Sequence, residues 1–259
     1  MKATASDLLW RVEETCLNAW PALRQALLGG WVLRFSGGLT RRANSANPLR
    51  VRDQVGELDA DALVDGCESL YRYHALPTIF RLPSIIEPAI GARLDALGYG
   101  SEGESLVLHG ELGAIRTEKD PEVELLSRPT RQWFAAMAAL QRHTKEHAGL
   151  YRQIVGRLAV PAAFAALADD RGTAALAYGA IHDGLICYES VVTDPGRQRR
   201  GYARRIIASL AAWAEEQGAR GACLEVEAGN RAAGTLYHAL GFRELYRYHY
   251  RREPGADRR

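Results

Sequence analysis

One stretch of the sequence, from Leu185 to Gln217, constrains the fold more than any other part. It opens with an apolar, β-branched run that ends at Thr193 and predicts a buried strand. A turn at Asp194-Pro195-Gly196 follows, and the loop after it leads into residues with helical spacing. The predicted helix has three apolar side chains on one face, Ile206, Leu210 and Trp213. The stretch therefore predicts the order strand, loop, helix, which is typical of an α/β fold.

The loop within this stretch has the chemistry of an anion site. Gly201 lets backbone N–H groups approach a ligand closely, and the following helix turns its positive N-terminal end toward it. Ala203 is small enough to keep that approach open. The spacing Gln198-x-x-Gly201-x-Ala203 differs from both the Walker loop and the dinucleotide fingerprint, so neither nucleotide fold is favoured. Five arginines add long-range attraction for a polyphosphate: Arg197, Arg199, Arg200, Arg204 and Arg205.

The spacing resembles the signature Gln/Arg-x-x-Gly-x-Gly/Ala of the GNAT acyl-CoA-dependent N-acyltransferases. The downstream order is also similar, with Leu224–Glu227 as a strand, Asn230 opening a helix, and then Leu236-Tyr237 and Leu240-Gly241-Phe242. The resemblance runs from about Pro121 to Arg251. It implies an α/β domain with a mixed sheet that binds an acyl-CoA and transfers its acyl group, acetyl above all, to an amine.

Composition is that of a globular protein with room for two domains. The chain has 259 residues, of which 47% are hydrophobic and 25% charged, and its net charge of +2 gives no indication of binding to nucleic acid or to a membrane surface. No segment approaches the roughly 20 apolar residues of a membrane span. Acidic residues near the start occupy the place of a signal peptide's apolar core, so we expect a cytoplasmic protein.

The N-terminal half repeats the order of elements found in the C-terminal half. It predicts a helix from Ser6 to Leu28 bent at Pro21, a hairpin with strands 31–35 and 40–46 around Gly37-Gly38, and then helix 59–73, strand 78–82, helix 87–97 and strand 104–109. The second half predicts strand 123–126, helix 131–141, a helical stretch near 151–158 and a hairpin around His182-Asp183-Gly184. The sequence therefore indicates two tandem GNAT-like folds.

The two predicted copies differ at the cofactor loop. Residues 49–57 of the first copy lack the Gln-x-x-Gly-x-Ala spacing, and its short helix has no counterpart of Tyr237. We therefore expect a degenerate N-terminal domain at 1–118 with a structural role, a catalytic domain at 119–252, and a disordered tail at 253–259.

The resemblance also implies roles for individual residues. The cofactor's pantetheine arm is expected to pair with the strand before the loop, and Tyr237 is expected to give a proton to the leaving thiolate. Asn230, seven residues earlier, is expected to contact the cofactor while capping its helix. The cofactor-binding set is Val191, Val192, Thr193, Gln198, Arg199, Arg200, Gly201, Tyr202, Ala203, Arg204, Asn230 and Tyr237.

The base that takes a proton from the amine is less constrained by the sequence. Glu189 lies on the strand before the loop, where strand alternation places it on one face with Cys187, Val191 and Thr193. Glu225 and Glu227 share a face of the next strand and stay as alternatives. Glu189 is the predicted catalytic base.

Two other patterns bear on metals. His143-x-x-Glu146-His147 satisfies the inverted zinc-peptidase pattern, but no downstream carboxylate ligand is evident, so a solvated helix face is favoured and acceptor contact is the alternative. The cysteines have no Cys-x-x-Cys spacing and predict reduced, buried thiols without a disulfide framework or a metal. They are Cys16, Cys67, Cys187 and Cys223.

Two questions stay open at this level. A module that binds or senses CoA without turnover fits the same loop as an enzyme does. The acceptor, a small-molecule or peptide amine, is not specified by the sequence, and both monomer and homodimer are compatible with it.

Overall fold

The structure, a computed structural model, describes residues 5–50, 59–86, 88–115 and 118–255. In chain order its elements are α1 (Ala5–Ala19), β1 (Arg24–Leu28), β2 (Trp31–Phe35), β3 (Ala46–Pro48), α2 (Ala60–Tyr73), β4 (Ile79–Pro83), α3 (Ala89–Ala96), β5 (Gly100–Glu111), β6 (Val123–Leu126), α4 (Arg131–Leu140), α5 (Lys145–Val155), β7 (Ala162–Asp169), β8 (Gly172–His182), β9 (Leu185–Thr193), α6 (Tyr202–Glu216), β10 (Gly221–Glu227), α7 (Arg231–Ala239) and β11 (Arg243–Arg252). Helices are interspersed with runs of one to three strands along the chain, as in a mixed α/β protein. None of these helices is both long and apolar enough to cross a membrane.

The chain forms two compact units. The larger unit combines Met1–Trp20 with Val107–Leu245, and the smaller unit combines Pro21–Leu106 with Tyr246–Arg259. These units differ from the predicted ranges 1–118 and 119–252, because the first helix belongs with the second half of the chain and the end of the last strand belongs with the first. Of the predicted tail, residues 256–259 lie outside the described residues, as do 51–57 of the first copy's loop.

The smaller unit corrects the predicted N-terminal elements. Helix α1 ends at Ala19, and Arg24–Leu28 is a strand that pairs with β2 in the predicted helical range. Gly29 and Gly30 both have positive φ, 50° and 79°, and form the two-residue turn of this hairpin. The predicted return strand 40–46 is instead a short 3-10 turn followed by β3. The strand order of the unit is β1-β2-β3-β4-β11.

The larger unit contains the stretch from Leu185 to Gln217. Its strands lie in the order β5-β10-β9-β8-β7-β6, and β9 and β10 are parallel while β6 to β9 are antiparallel neighbours. Helix α6 buries Ile206 and Leu210 fully, as predicted. Helix α1 is held in this unit by the Tyr178 hydroxyl, which donates to the Ala19 carbonyl at 2.8 Å.

Most of the other predicted elements agree with the structure to within a few residues, and α5 is the exception. Strands β6 and β9 have the predicted bounds, and α2 begins after Asp59, whose side chain accepts from the Ala62 N–H. The hairpin between β8 and β9 turns at Asp183 and Gly184, which both have positive φ. Helix α5 begins at Lys145, six residues before the predicted stretch, because Thr144 caps it.

Candidate active site

The loop between β9 and α6 ends at a glycine in a left-handed conformation. Gly201 is the N-cap of α6 with φ of 81°, and it provides no side-chain hydrogen bond to the helix. A Cβ added at Gly201 would meet no atom within 4 Å. The first N–H groups of a helix have no intrahelical acceptor, so those of α6 are available to a ligand that approaches this open side of the glycine.

A cavity of about 470 Å³ opens beside this loop. Its volume lies within the roughly 300–1,000 Å³ of small-molecule sites. Ten of the predicted cofactor residues line it: Val191, Thr193, Gln198, Arg199, Gly201, Tyr202, Ala203, Arg204, Asn230 and Tyr237. Val192 and Arg200 are not among the lining residues, so the structure brings together most of the predicted set from β9, α6 and α7.

A bulge in β9 explains why Val192 does not line the cavity. Tyr178 of β8 pairs with Glu189, whereas Leu176 pairs with Val192, so β9 has one extra residue between these pairs. Ser190 at this point has φ of 55°. The bulge shifts the alternation by one residue, and Glu189 therefore shares a face with Val192. The predicted common face of Glu189, Val191 and Thr193 is wrong for this reason.

The five arginines of the loop do not all face a ligand. Arg197 is buried at 8% exposure, and its guanidinium contacts Asp169 at 2.5 Å and Asp194 at 3.0 Å. Arg205 contacts Asp120 at 2.5 Å. These two arginines fix the loop and the helix, which corrects their predicted role in attracting a polyphosphate. The exposed arginines are Arg199, Arg200 and Arg204.

The carboxylates around Arg197 are held in their charged form. The Arg171 N–H and the Tyr202 hydroxyl both donate to Asp169, and these bonds together with Arg197 lower its pKa. Since Tyr202 is the first residue of α6, this contact ties the start of the helix to the β7–β8 turn. The sequence contained no local signal for it, because Asp169 lies 33 residues before Tyr202.

Tyr237 lines the cavity and is otherwise buried, with an exposed fraction of 7%. Burial raises the pKa of its hydroxyl, and the nearby charge of Glu189 raises it further. The hydroxyl is therefore protonated at neutral pH and is able to donate a proton. Its ring packs edge-on against Phe242, with 5.9 Å between the ring centroids.

The three candidate carboxylates differ in their surroundings. Glu189 is buried at 5% exposure, and the Cys187 thiol donates to its Oε1 at 3.8 Å. Glu225 is half-buried and Glu227 is exposed. None of the three lines the cavity beside the loop. The charge of Glu189 nevertheless contributes to the raised pKa of Tyr237.

Asn230 caps α7 and lines the cavity at the same time. Its Oδ1 accepts from the Ala233 N–H at 3.1 Å. Four further lining residues were not predicted: Ala232, Ala233, Thr235 and Leu236. The signal for them was the run of small residues in the first turns of α7, which leaves space between this helix and the loop.

The histidine motif does not form a helical metal site. His143 precedes Thr144, the N-cap of α5, so only His147 is on the helix, and their ring centroids are 6.0 Å apart. Burial lowers the pKa of His143, and the charge of His147 lowers it further. Within the described ranges, Cys16, Cys187 and Cys223 are the only group of three or more metal-binding side chains with mutually close ligand atoms.

Comparison with known proteins gives matches over most of the chain, beyond the residues of this site. A family model described as probable histone acetyltransferase Rv0428c, C-terminal, matches residues 8–251. A relative from Bacillus subtilis (strain 168), the uncharacterized N-acetyltransferase YobR, is 24% identical over 249 residues, which are 95% of this chain and 98% of the relative.

Two solved structures have a similar fold over nearly the whole chain. A GCN5-related N-acetyltransferase from Kribbella flavida has a TM-score of 0.70 at 16% identity, covering 99% of this chain and 98% of that protein. A tandem GNAT protein from the clavulanic acid biosynthesis pathway has a TM-score of 0.65 at 14% identity, covering 97% and 94%. The predicted fold class, two tandem GNAT-like folds, is thereby confirmed. Since the family model spans most of the sequence, the chain belongs to the family described as probable histone acetyltransferase Rv0428c, C-terminal, within the GNAT superfamily of N-acetyltransferases.

Proposed function

We propose that the larger unit transfers an acetyl group from acetyl-CoA to a primary amine of a small molecule or peptide. The observation that carries this proposal is the cavity that both the open glycine of the loop and Tyr237 line. An anion site and a protonated phenol on one cavity match the diphosphate and the thioester of an acyl-CoA that an acyltransferase must hold. The four cysteines are free thiols, which supports a cytoplasmic location.

The loop suits the diphosphate of CoA for two reasons. First, the absence of a Cβ at Gly201 leaves open the space that a methyl group would fill. Second, the N–H groups at the start of α6 and the exposed Arg199 and Arg204 supply donors and positive charge on the cavity wall. Val191 and Thr193 of β9 line the same wall, and we assign their backbone groups to the pantetheine arm.

Acetyl-CoA would supply the acyl group as a thioester. In the proposed reaction the amine nitrogen forms a bond to the carbonyl carbon, and the bond from that carbon to sulfur breaks. Because Glu189 does not line the cavity, it takes the proton that the amine gives up through an intervening water, and Tyr237 gives the proton of its hydroxyl to the departing sulfur. Both side chains then exchange their protons with solvent, which restores the starting state.

Glu189 is the base we propose, ahead of the other two glutamates. Its charge is one of the causes that raise the pKa of Tyr237. Glu227 is exposed at the end of β10, where water screens its charge. A positioned base or acid contributes typically 100- to 10,000-fold to a rate, so the loss of either group should be readily measurable.

The test is acetyl-CoA turnover by the Tyr237→Phe variant, measured as thiol release over a panel of small amines and peptides. We expect kcat to fall about 100-fold or more, with the Kd for CoA within about twofold of wild type, because the ring is retained and only the proton donor is lost. Equal turnover by the variant would remove Tyr237 from the mechanism.

Tyr188→Phe is the matched control. Tyr188 is also buried, its ring packs edge-on against the same Phe242 at 6.1 Å, and its hydroxyl donates to the Ile207 carbonyl rather than lining the cavity. Its removal should leave kcat unchanged within about twofold. Calorimetric binding of CoA by wild type without amine-dependent thiol release, across the whole panel, would favour the sensing function instead.

A further inference from the structure

Three cysteines from distant parts of the sequence meet in the core of the larger unit. Cys16 lies on α1, Cys187 on β9 and Cys223 on β10. The Sγ atom of Cys16 is 3.9 Å from that of Cys187 and 4.0 Å from that of Cys223, and the three sulfurs lie within 4.8 Å of one another. Exposed fractions are 3%, 0% and 0% in chain order, so the cluster is closed to water.

We propose that this triad binds one thiophilic d¹⁰ cation, Cu(I), through its three sulfur atoms. A metal ion bound to thiolates at about 2.3 Å in a trigonal plane holds its sulfurs about 4.0 Å apart. Two of the three separations in the structure already have this value. The ion therefore fits at the centre of the triangle with only small rotations of the side chains.

The ligand set favours Cu(I) over Zn²⁺. Thiolates are soft ligands that select Cu(I) and Zn²⁺ from the biological metals. Structural Zn²⁺ sites almost always have four ligands, however, and in the part of the chain that the structure describes the group with mutually close ligand atoms contains only the three sulfurs. The Glu189 carboxylate accepts from the Cys187 thiol at 3.8 Å but does not belong to this group. Three-coordination without water is a geometry that Cu(I) accepts readily.

Loading exchanges protons for metal–sulfur bonds. Each thiol that becomes a ligand breaks its S–H bond and releases the proton to solvent, and Cu(I) keeps its oxidation state throughout. Affinity is therefore expected to increase with pH.

The fourth cysteine provides an internal control. Cys67 is as buried as the others but lies on α2 in the core of the smaller unit, packed among Leu33, Val64 and Phe80. If any buried thiol could hold the cation, loss of the Cys67 thiol would weaken cation binding. If the triad holds the cation, loss of the Cys67 thiol leaves binding unchanged.

The experiment is titration of the reduced full-length protein with Cu(I) in competition with a chromophoric Cu(I) chelator. We expect one equivalent to bind to wild type and to Cys67→Ser, and at least tenfold weaker binding by Cys16→Ser, Cys187→Ser and Cys223→Ser. Unchanged affinity in these three variants, or no competition by wild type, would show that the cysteines only pack the core.

A second measurement needs no variant and holds even if a substitution impairs folding. X-ray absorption at the copper edge counts the sulfur neighbours of the bound ion in wild type. Three sulfurs at about 2.3 Å support the site, whereas two sulfurs, or nitrogen and oxygen neighbours, would overturn it. Competition by Zn²⁺ at equal concentration should not displace the ion, and displacement would contradict the three-coordinate assignment. These metal-binding results do not depend on acyl transfer, so failure of the proposed function would not change them.

Discussion

Replacement of Gly201 by alanine separates the loop's role in folding from its role in binding. Gly201 has φ of 81° and an added Cβ would meet no atom within 4 Å, so the variant creates no clash. The cost to folding is the left-handed backbone itself, about 1–2 kcal/mol for a residue with a Cβ. The cost to binding is additional, because the new methyl group occupies the side from which a diphosphate would approach.

The size of the binding loss follows from the hydrogen bonds at stake. A hydrogen bond to a charged group contributes about 1.5–3 kcal/mol, and 1.4 kcal/mol corresponds to a factor of ten in Kd. If the methyl group displaces the diphosphate from one N–H donor, the Kd for CoA should increase about 10- to 100-fold. Calorimetric titration with CoA measures this change, and urea unfolding measures the loss of stability.

Gly218→Ala is the matched control for the backbone strain. Gly218 follows the other end of α6 with φ of 89°, and a Cβ there also meets no atom within 4 Å. It does not line the cavity. We therefore expect both variants to lose similar stability but only Gly201→Ala to lose affinity. Equal CoA binding by the two variants would refute the assignment of the loop to the diphosphate.

Two further variants test groups around the site. Hydrogen bonding from Arg205 lowers the pKa of Asp120, so this pair stabilises the fold above about pH 4 and the contribution is lost as pH falls below 3.8. Urea unfolding should therefore show that Asp120→Asn is less stable than wild type at pH 7. At pH 3 the difference in stability between the two proteins should be smaller. Asn230→Ala removes the cap of α7 and should cost about 1 kcal/mol of stability. The control is Thr144→Ala, which removes the cap of α5 and should leave the affinity for CoA unchanged.

Local patterns in the sequence were sufficient for much of the larger unit. The β-branched run, the proline turn and the spacing around Gly201 predicted β9, the loop and α6, and most of the predicted cofactor residues line one cavity. These features depend on residues close together in the chain. Their chemical roles stay predictions until binding and turnover are measured.

The errors arose where distant residues decide the structure. The segment Arg24–Leu28 follows a helix and has weak preferences of its own, but pairing with β2 makes it a strand. The bulge at Ser190 depends on the register between β8 and β9, which no spacing within β9 reveals. The convergence of three cysteines that are up to 207 residues apart is likewise a property of the folded chain alone.

The loop arginines form two groups, one that stabilises the fold and one that lies at the candidate site. Arg197 and Arg205 are neutralised by carboxylates of the same unit, so their charge holds the loop and contributes little to the field in the cavity. Arg199 and Arg204 are exposed on the cavity wall, where each adds attraction for an anion. The backbone donors at Gly201 are thus fixed before a ligand arrives, and little ordering is required on binding. A count of basic residues in the sequence cannot separate these two groups, because only the positions of Asp120, Asp169 and Asp194 in the folded protein decide which arginines are neutralised.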